Sequence, residues 1–129
     1  MKPYYIATDE VMGRCVHANK PLSKGDVVMI SELIVLSSID TVKIGYTDLK
    51  HYTFKYSDNN DCLVLGDGEL FNHDNNANVS YHLEDFFGRK RMVFTALTDI
   101  LEQTQLFIDY GADTAVDTDS YVNAKSLIG

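Results

Sequence analysis

Short runs in which apolar and polar residues alternate, separated by turns, dominate the chain. After an asparagine-rich stretch, apolar side chains alternate with polar ones from position 79 to position 84. A turn at Gly88 follows, and the same spacing returns over residues 92–96. A period of two is typical of half-buried β-strands, so residues 79–96 are predicted to form a hairpin.

The rest of the pattern predicts more short strands and few helices. Expected strands cover residues 4–7, 15–18, 27–36, 52–56, 62–65 and 106–108. A helical turn is expected over 97–105, and a short helix over 121–127. Long amphipathic helices are absent from the pattern, which argues against a Rossmann-type domain, and the spacing of the turns favours a mostly β domain.

The composition fits a globular domain outside the membrane. The 129 residues suit one domain, and 45% of them are hydrophobic, enough for an ordinary core. The longest apolar stretch, residues 27–36, is interrupted by Ser31 and Glu32 and is too short to span a bilayer. The N-terminal sequence has no apolar signal region. We therefore expect an intracellular, cytoplasmic protein.

The two cysteines, Cys15 and Cys62, have neither a CxxC partner nor metal ligands at finger spacing. No metal site is expected from them. Reduced thiols are the default for such a chain, although the sequence leaves a disulfide open.

The net charge of −8 bears on the kind of partner. Phosphates favour Lys and Arg, so a nucleic-acid partner is disfavoured. A basic partner would be attracted over long range. Acidity that merely keeps the protein soluble is an equally good explanation.

Three separated segments carry the candidate chemistry. They are "GRCVHANKPLSKGDVV" (13–28), "LGDGELFNHDNNANVSY" (65–81) and "FTALTDILEQTQLFIDYG" (94–111). Asn, Asp and Gly in the middle segment would ordinarily indicate a surface turn. Taken in order and at these separations, however, the three segments together resemble the signature of the SET-domain family of protein-lysine methyltransferases.

The resemblance implies a mostly β SET domain, or β-clip, built from several short curled sheets, a knot-like C-terminal core and few short helices. It implies one domain over 1–129, with the SET core at 1–111 and a tail, 112–129, that closes over the cofactor and substrate channel. The chain lacks the cysteine-rich modules that flank many larger members. It therefore looks like the compact type found in bacteria and viruses, and a viral member would act in the nucleus or host cell.

The cofactor that the resemblance implies is S-adenosylmethionine. The first segment would present backbone groups to its methionine end, and the middle segment and the tail would complete the site. The residues assigned to it are Gly13, Arg14, Cys15, Val16, Asn72, His73 and Tyr121. Because Asn donates and accepts at once, Asn72 and Asn78 are also expected to bond neighbouring backbone. A structural role is preferred for His73 over proton transfer or a metal pair with His82.

Three tyrosines are assigned to the catalytic channel by the resemblance. Tyr110 would have its hydroxyl near the point of methyl transfer, and Tyr52 and Tyr81 would line the channel, although core packing is an alternative for each. Transfer to an amine requires alignment and a neutral lysine, and an apolar channel disfavours the charged form. Asp109 is expected to make structural hydrogen bonds. Ile108, an aliphatic where the family varies between Phe and Tyr, predicts di- or trimethylation.

The chain departs from the family pattern at several positions. Cys15 replaces the second glycine of the opening motif, which could weaken cofactor binding. Asp74 stands in place of Ser, Ala77 in place of Pro, and residues 103–105 in place of Gly-Glu-Glu. The loss of Pro removes a preset φ from that loop.

Three hypotheses follow from these observations. The first is an active lysine methyltransferase acting on a basic protein segment, for which a histone-like tail is one candidate. The second is a SET-fold binding module that recognises a basic tail or a methylated lysine through its aromatic channel. The third is an unrelated structural β domain. A homodimer is also expected, because a short chain with a small core gains from pairing.

Overall fold

A computed structural model of the protein describes residues 2–110, which form two β-sheets. The strands are β1 (Tyr4–Asp9), β2 (Gly13–Ala18), β3 (Val27–Val35), β4 (Thr53–Ser57), β5 (Asn60–Val64), β6 (Asn72–His73), β7 (Val79–Phe86), β8 (Arg89–Ala96) and β9 (Gln105–Ile108). One α-helix, α1 (Ser38–Ile44), and two 3-10 helices (Asp48–Tyr52 and Gly66–Leu70) complete the described elements. The mostly β SET-domain prediction is confirmed.

The larger sheet has the order β4-β5-β3-β8-β7 and the smaller one β1-β2-β9-β6. In the larger sheet, β7 and β8 pair from Val79↔Ala96 to Phe86↔Arg89 around a turn with Gly88 at φ +85°. This is the hairpin that the alternating pattern predicts. In the smaller sheet, β9 lies antiparallel to β2 and parallel to β6.

Both sheets contribute alternate side chains to one core. The buried faces of β7 and β8 supply Tyr81 and Phe94, and β2 and β9 supply Val16 and Leu106. Both cysteines are buried and free, so the structure contains no disulfide between them. Between 2 and 110 no helix is long and apolar enough to cross a membrane.

One local prediction is wrong, and one helix was missed. The helical turn predicted over 97–105 is wrong, because Ile100 exchanges both backbone hydrogen bonds with Leu22 and cannot use them within a helix. Helix α1 was not predicted. Its signal is a cap: the Ser37 hydroxyl accepts from the N–H of Asp40, as an N-cap serine does.

The C-terminal expectations can be compared only in part. Residues after Tyr110 lie outside the described range, and they include Tyr121, the predicted helix at 121–127 and the predicted closing tail. Within the described range, the parallel pairing of β6 with β9 places the asparagine-rich segment directly against the last strand.

Candidate functional site

The smaller sheet brings the three sequence segments together. Its order places β2 of the first segment beside β9 of the third, and β9 beside β6 of the second. Val16 lies opposite Leu106, and Asn72 and His73 lie opposite Phe107 and Ile108. Segments that are far apart in sequence therefore meet within three adjacent strands.

Tyr110 is fixed against β6 by two hydrogen bonds. Its hydroxyl donates to the carbonyl oxygen of Phe71 at 2.5 Å, and its backbone N–H donates to Nδ1 of His73 at 2.9 Å. The two rings lie 5.1 Å apart. Burial, and secondarily the negative charge of Glu69, raises the pKa of Tyr110. At neutral pH its side chain is therefore a protonated, fixed hydroxyl.

His73 has the structural role expected for it. Because Nδ1 accepts the N–H of Tyr110, the neutral ring must carry its proton on Nε2. The nearest carboxylate, that of Asp109, is 3.7 Å from the same nitrogen. The imidazole therefore orients the backbone at Tyr110.

Asn78 bonds the backbone of β9 as predicted, whereas Asn72 does not. The amide of Asn78 donates to the carbonyl of Gln105 at 2.9 Å and accepts from the N–H of Phe107 at 2.8 Å. The amide of Asn72 donates instead to side chains: to Gln105 Oε1 at 3.2 Å and, weakly, to the sulfur of Met12 at 4.0 Å. The backbone of Asn72 itself pairs with β9, opposite Phe107.

The first segment is divided between core and surface. Gly13 has φ +77° with open space beyond its Cα, and Arg14 is exposed, whereas Cys15 and Val16 are buried. The Cys15 thiol donates to the carbonyl of Ala7 at 3.6 Å, and burial raises its pKa. The Cys15 side chain is therefore buried, and its thiol stays protonated at neutral pH.

The exposed part of this segment suits the expected S-adenosylmethionine. In the described residues, β9 pairs with β2 only at Val16 and His17, so the β2 edge before Val16 has no strand partner on that side. Met12, just before β2, lies 4.0 Å from the Asn72 amide, so the free edge of β2 and the start of β6 lie side by side. Backbone groups of 13–15 and the Asn72 side chain could therefore hold the cofactor between them.

Tyr81 and Tyr52 occupy different surroundings. Tyr81 is 1% exposed, and its hydroxyl donates to the carbonyl of Asp109 at 3.3 Å, one residue from Tyr110. Tyr52 ends a 3-10 helix with 53% of its surface exposed. The aromatic of this segment that packs on Tyr81 is Phe54, with ring centroids 5.6 Å apart. The structure places the Tyr81 hydroxyl at the backbone of Asp109, one residue before Tyr110, and places Tyr52 at the surface.

The sequence reasoning missed Glu69. This residue lies in the second 3-10 helix, and its Oε1 accepts the N–H of Val64 at 3.1 Å. Burial raises the pKa of its carboxyl to about 7. Nothing in the string "GDGEL" distinguishes a buried glutamate from a surface one, because burial is set by the packing of the folded chain.

Comparisons with known proteins agree with this arrangement. The family model described as SET domain matches residues 13–111. A Schizosaccharomyces pombe protein named histone-lysine N-methyltransferase, H3 lysine-37 specific, is 31% identical over 110 residues, which are 84% of this chain and 74% of that protein.

Solved structures share the fold. The CpSET8 structure from Cryptosporidium has a TM-score of 0.69 at 25% identity, covering 84% of this chain and 57% of the other. A Plasmodium falciparum crystal structure has a TM-score of 0.72 at 21% identity, covering 86% and 95%. The ctPRC2 complex bound to S-adenosylmethionine has a TM-score of 0.73 at 20% identity, although the match spans only 15% of that chain.

Proposed function

The chain belongs to the SET-domain family, and we propose that it is a protein-lysine N-methyltransferase that modifies a basic segment of a protein substrate. SET methyltransferases use S-adenosylmethionine, which supplies a methyl group on a sulfonium when it is bound. The observation that carries the proposal is the position of Tyr110. Its hydroxyl is held at Phe71, beside the Asn72–His73 strand that adjoins β9.

Methyl transfer to lysine requires the protein to hold the lysine amine neutral and aligned with the methyl donor. Holding a lysine of pKa ≈ 10.4 neutral near pH 7 costs roughly 4–5 kcal/mol. Desolvation beside buried aromatic rings lowers that cost, because it disfavours the ammonium. Tyr110 and Tyr81 can orient an amine without acting as bases, since their hydroxyls are committed to backbone carbonyls. In this proposal Tyr121 closes over the cofactor and substrate channel, whereas Tyr52 lies at the surface and orients no amine.

A histone-like tail is the substrate class that we favour. The Schizosaccharomyces pombe relative is named for a lysine of histone H3. The net charge of −8 is complementary to a lysine-rich and arginine-rich segment. A histone substrate would place the protein in a nucleus, or in a host cell if the source is viral.

Substitution of Tyr110 tests the proposal. Wild-type protein, labelled S-adenosylmethionine and histone H3 or basic peptides should give labelled lysine. Tyr110→Phe should lower kcat at least about 100-fold, because the fixed hydroxyl is lost. The Kd for the cofactor should stay within about threefold, because Tyr110 donates to Phe71 and not to the predicted cofactor edge.

The matched control is Tyr46→Phe, at an 88% exposed tyrosine, which should leave turnover unchanged. Unchanged turnover in Tyr110→Phe would contradict the assignment of that residue.

Mass spectrometry of the product also tests the proposed degree of methylation. Di- or trimethyl-lysine is expected from Ile108, and monomethyl-lysine alone would contradict it.

The alternative is a binding module that has lost cofactor affinity. Its basis is Cys15, which replaces the second glycine of the opening motif, together with the altered segment at 103–105. Even that segment keeps its pairing with β2: the N–H of Gln103 donates to Ala18 at 2.8 Å, and Ala18 donates to Thr104 at 2.8 Å. Calorimetric titration with S-adenosylmethionine separates the two, since a binding module would show no heat of cofactor binding.

We also propose that the protein forms a homodimer, on the physical ground that a 129-residue chain has a small core. Sedimentation equilibrium of the full chain should give a mass near twice 14.5 kDa. A single species at the monomer mass over the working concentration range would refute this.

A further inference from the structure

A cavity of about 340 Å³ lies between the start of β1, the first half of β3 and the second 3-10 helix. This volume is within the range of small-ligand sites. None of the described residues assigned to the cofactor or the catalytic channel lines it. The residues of its wall that carry the argument are Lys2, Tyr4, Ile30, Ser31, Glu32 and Asp67, and we call it the Tyr4–Asp67 cavity.

The cavity begins where the chain leaves the edge of β3. The N–H of Leu65 donates to the carbonyl of Glu32 at 2.9 Å, and the chain then turns away at Gly66, which has φ +73°. Alternate residues of an antiparallel strand direct their N–H and C=O groups to opposite sides. Ile30, two positions before Glu32, therefore directs its backbone groups to the side that the chain has left, where the cavity lies.

Ser31 contributes a buried hydroxyl to the same wall. The residue is 4% exposed, and among residues 2–110 its hydroxyl has no hydrogen-bond partner. Its Oγ lies on the side of the second 3-10 helix, because an added Cβ at Gly68 would be 2.6 Å from it. A buried polar group without a partner is unfavourable, so a bound group that hydrogen-bonds with Ser31 would remove that cost.

The charges of the wall favour a cation. The Asp67 carboxylate accepts the Tyr4 hydroxyl through Oδ2 at 3.0 Å. The Lys2 ammonium already lies over the Tyr4 ring, 5.5 Å from its centroid, as cations do at aromatic faces. Glu32 holds the guanidinium of Arg89 at 2.6 Å. With one positive charge (Lys2) and two negative charges (Glu32 and Asp67), the wall has a net charge of −1.

We propose that the Tyr4–Asp67 cavity binds the guanidinium group of an arginine side chain on a protein partner. The Asp67 carboxylate, the Ile30 carbonyl and the Ser31 hydroxyl are its acceptors, and the Tyr4 ring offers a face for stacking. Arginine fits better than lysine, because its planar fork donates to several acceptors at once and is more weakly hydrated. An anionic group would instead meet two carboxylates. The site goes beyond the proposed function and is separate from the methyl-transfer channel.

The test is an NMR titration of the full chain with N-acetylarginine N-methylamide. The amide signals of Ile30, Ser31 and Asp67 should shift and saturate, with a Kd on the order of millimolar for a single side chain. N-acetylcitrulline N-methylamide has nearly the same shape but no charge, and it should bind at least about tenfold more weakly. The corresponding lysine compound should bind about threefold more weakly than the arginine compound.

Variants of the wall locate the site. Asp67→Asn keeps an oxygen for the Tyr4 hydroxyl but loses the charge, so Kd should rise at least about fivefold. Ser31→Ala should raise Kd about threefold and unfold at the wild-type urea concentration, because its hydroxyl has no partner in the described protein. The matched control is Asp58→Asn, an exposed carboxylate outside the cavity, which should leave Kd unchanged.

Three results would overturn the inference. The first is a set of shifts that stay linear in concentration and spread over the surface, which is non-specific attraction to an acidic protein. The second is an equal Kd for the arginine and citrulline compounds, a comparison that uses wild-type protein and so holds even where a variant does not fold. The third is an equal Kd for Asp67→Asn and Asp58→Asn. The titration needs neither cofactor nor methyl acceptor, so its result is independent of methyl transfer.

Discussion

At the scale of single residues, the surroundings of a side chain decide its role more than its type does. Glu69 and Glu102 are the same residue, but one is half-buried and accepts the N–H of Val64, whereas the other is exposed. His73 would be a candidate acid or base by type. Its Nδ1 instead accepts a backbone N–H and orients Tyr110.

Gly68 gives a prediction at this scale. Gly68→Ala should destabilise the protein by about 1–3 kcal/mol, because its Cβ would overlap Ser31 Oγ and Val64 Cγ1 and lie 3.1 Å from Phe94. Urea unfolding measures the loss. The same substitution in a Val64→Ala background should cost less, since Cγ1 is gone. Equal costs in both backgrounds would argue against a steric origin.

At the scale of elements, one side chain secures a short strand. β9 has four residues, and the backbone at both Gln105 and Phe107 is bonded by the amide of Asn78. A side-chain amide can serve a donor and an acceptor together, so it acts here as an added strand partner. The position of Tyr110, which follows β9 by two residues, depends on this bonding.

Asn78→Ala should therefore lower the free energy of unfolding by about 2–3 kcal/mol, because it leaves one backbone N–H and one carbonyl without their partner. Asn78→Asp keeps the acceptor but places a carboxylate oxygen against the carbonyl of Gln105, so its loss should be at least as large. The exposed Asn76→Ala serves as the control and should change stability by less than about 0.5 kcal/mol. If the two alanine variants unfold at the same urea concentration, the amide of Asn78 does not secure β9.

At the scale of the whole molecule, charge sets how a substrate is attracted. The net charge of −8 produces a long-range field that draws a basic segment, and salt screens that field. Raising NaCl from about 50 to 300 mM should raise the KM for a lysine-rich and arginine-rich peptide at least about fivefold. A peptide that keeps only the target lysine should respond much less. An equal response of both peptides would rule out electrostatic steering.

The fold was more accessible to sequence reasoning than the site. Alternation with a period of two reports which strand faces are buried, so the hairpin at 79–96 was predictable from local residues alone. Residues 97–105 carry an equally local pattern that misleads, because Ile100 pairs with Leu22, more than seventy positions earlier. Tyr110 could be identified as a candidate site residue only through a resemblance spread over three segments. The burial of Glu69 could not be predicted from the sequence.

The sequence by itself determined the family, the mostly β fold and the cofactor, because motif order and residue periodicity are properties of the linear chain. Only the tertiary structure determined which side chains lie close together. Parallel pairing of β6 with β9 brings His73 to Tyr110, and Gly68 of the second 3-10 helix packs against Ser31, Val64 and Phe94. Desolvation and hydrogen bonding arise from atoms that are distant in sequence, so the protonation states on which the chemistry depends exist only after folding.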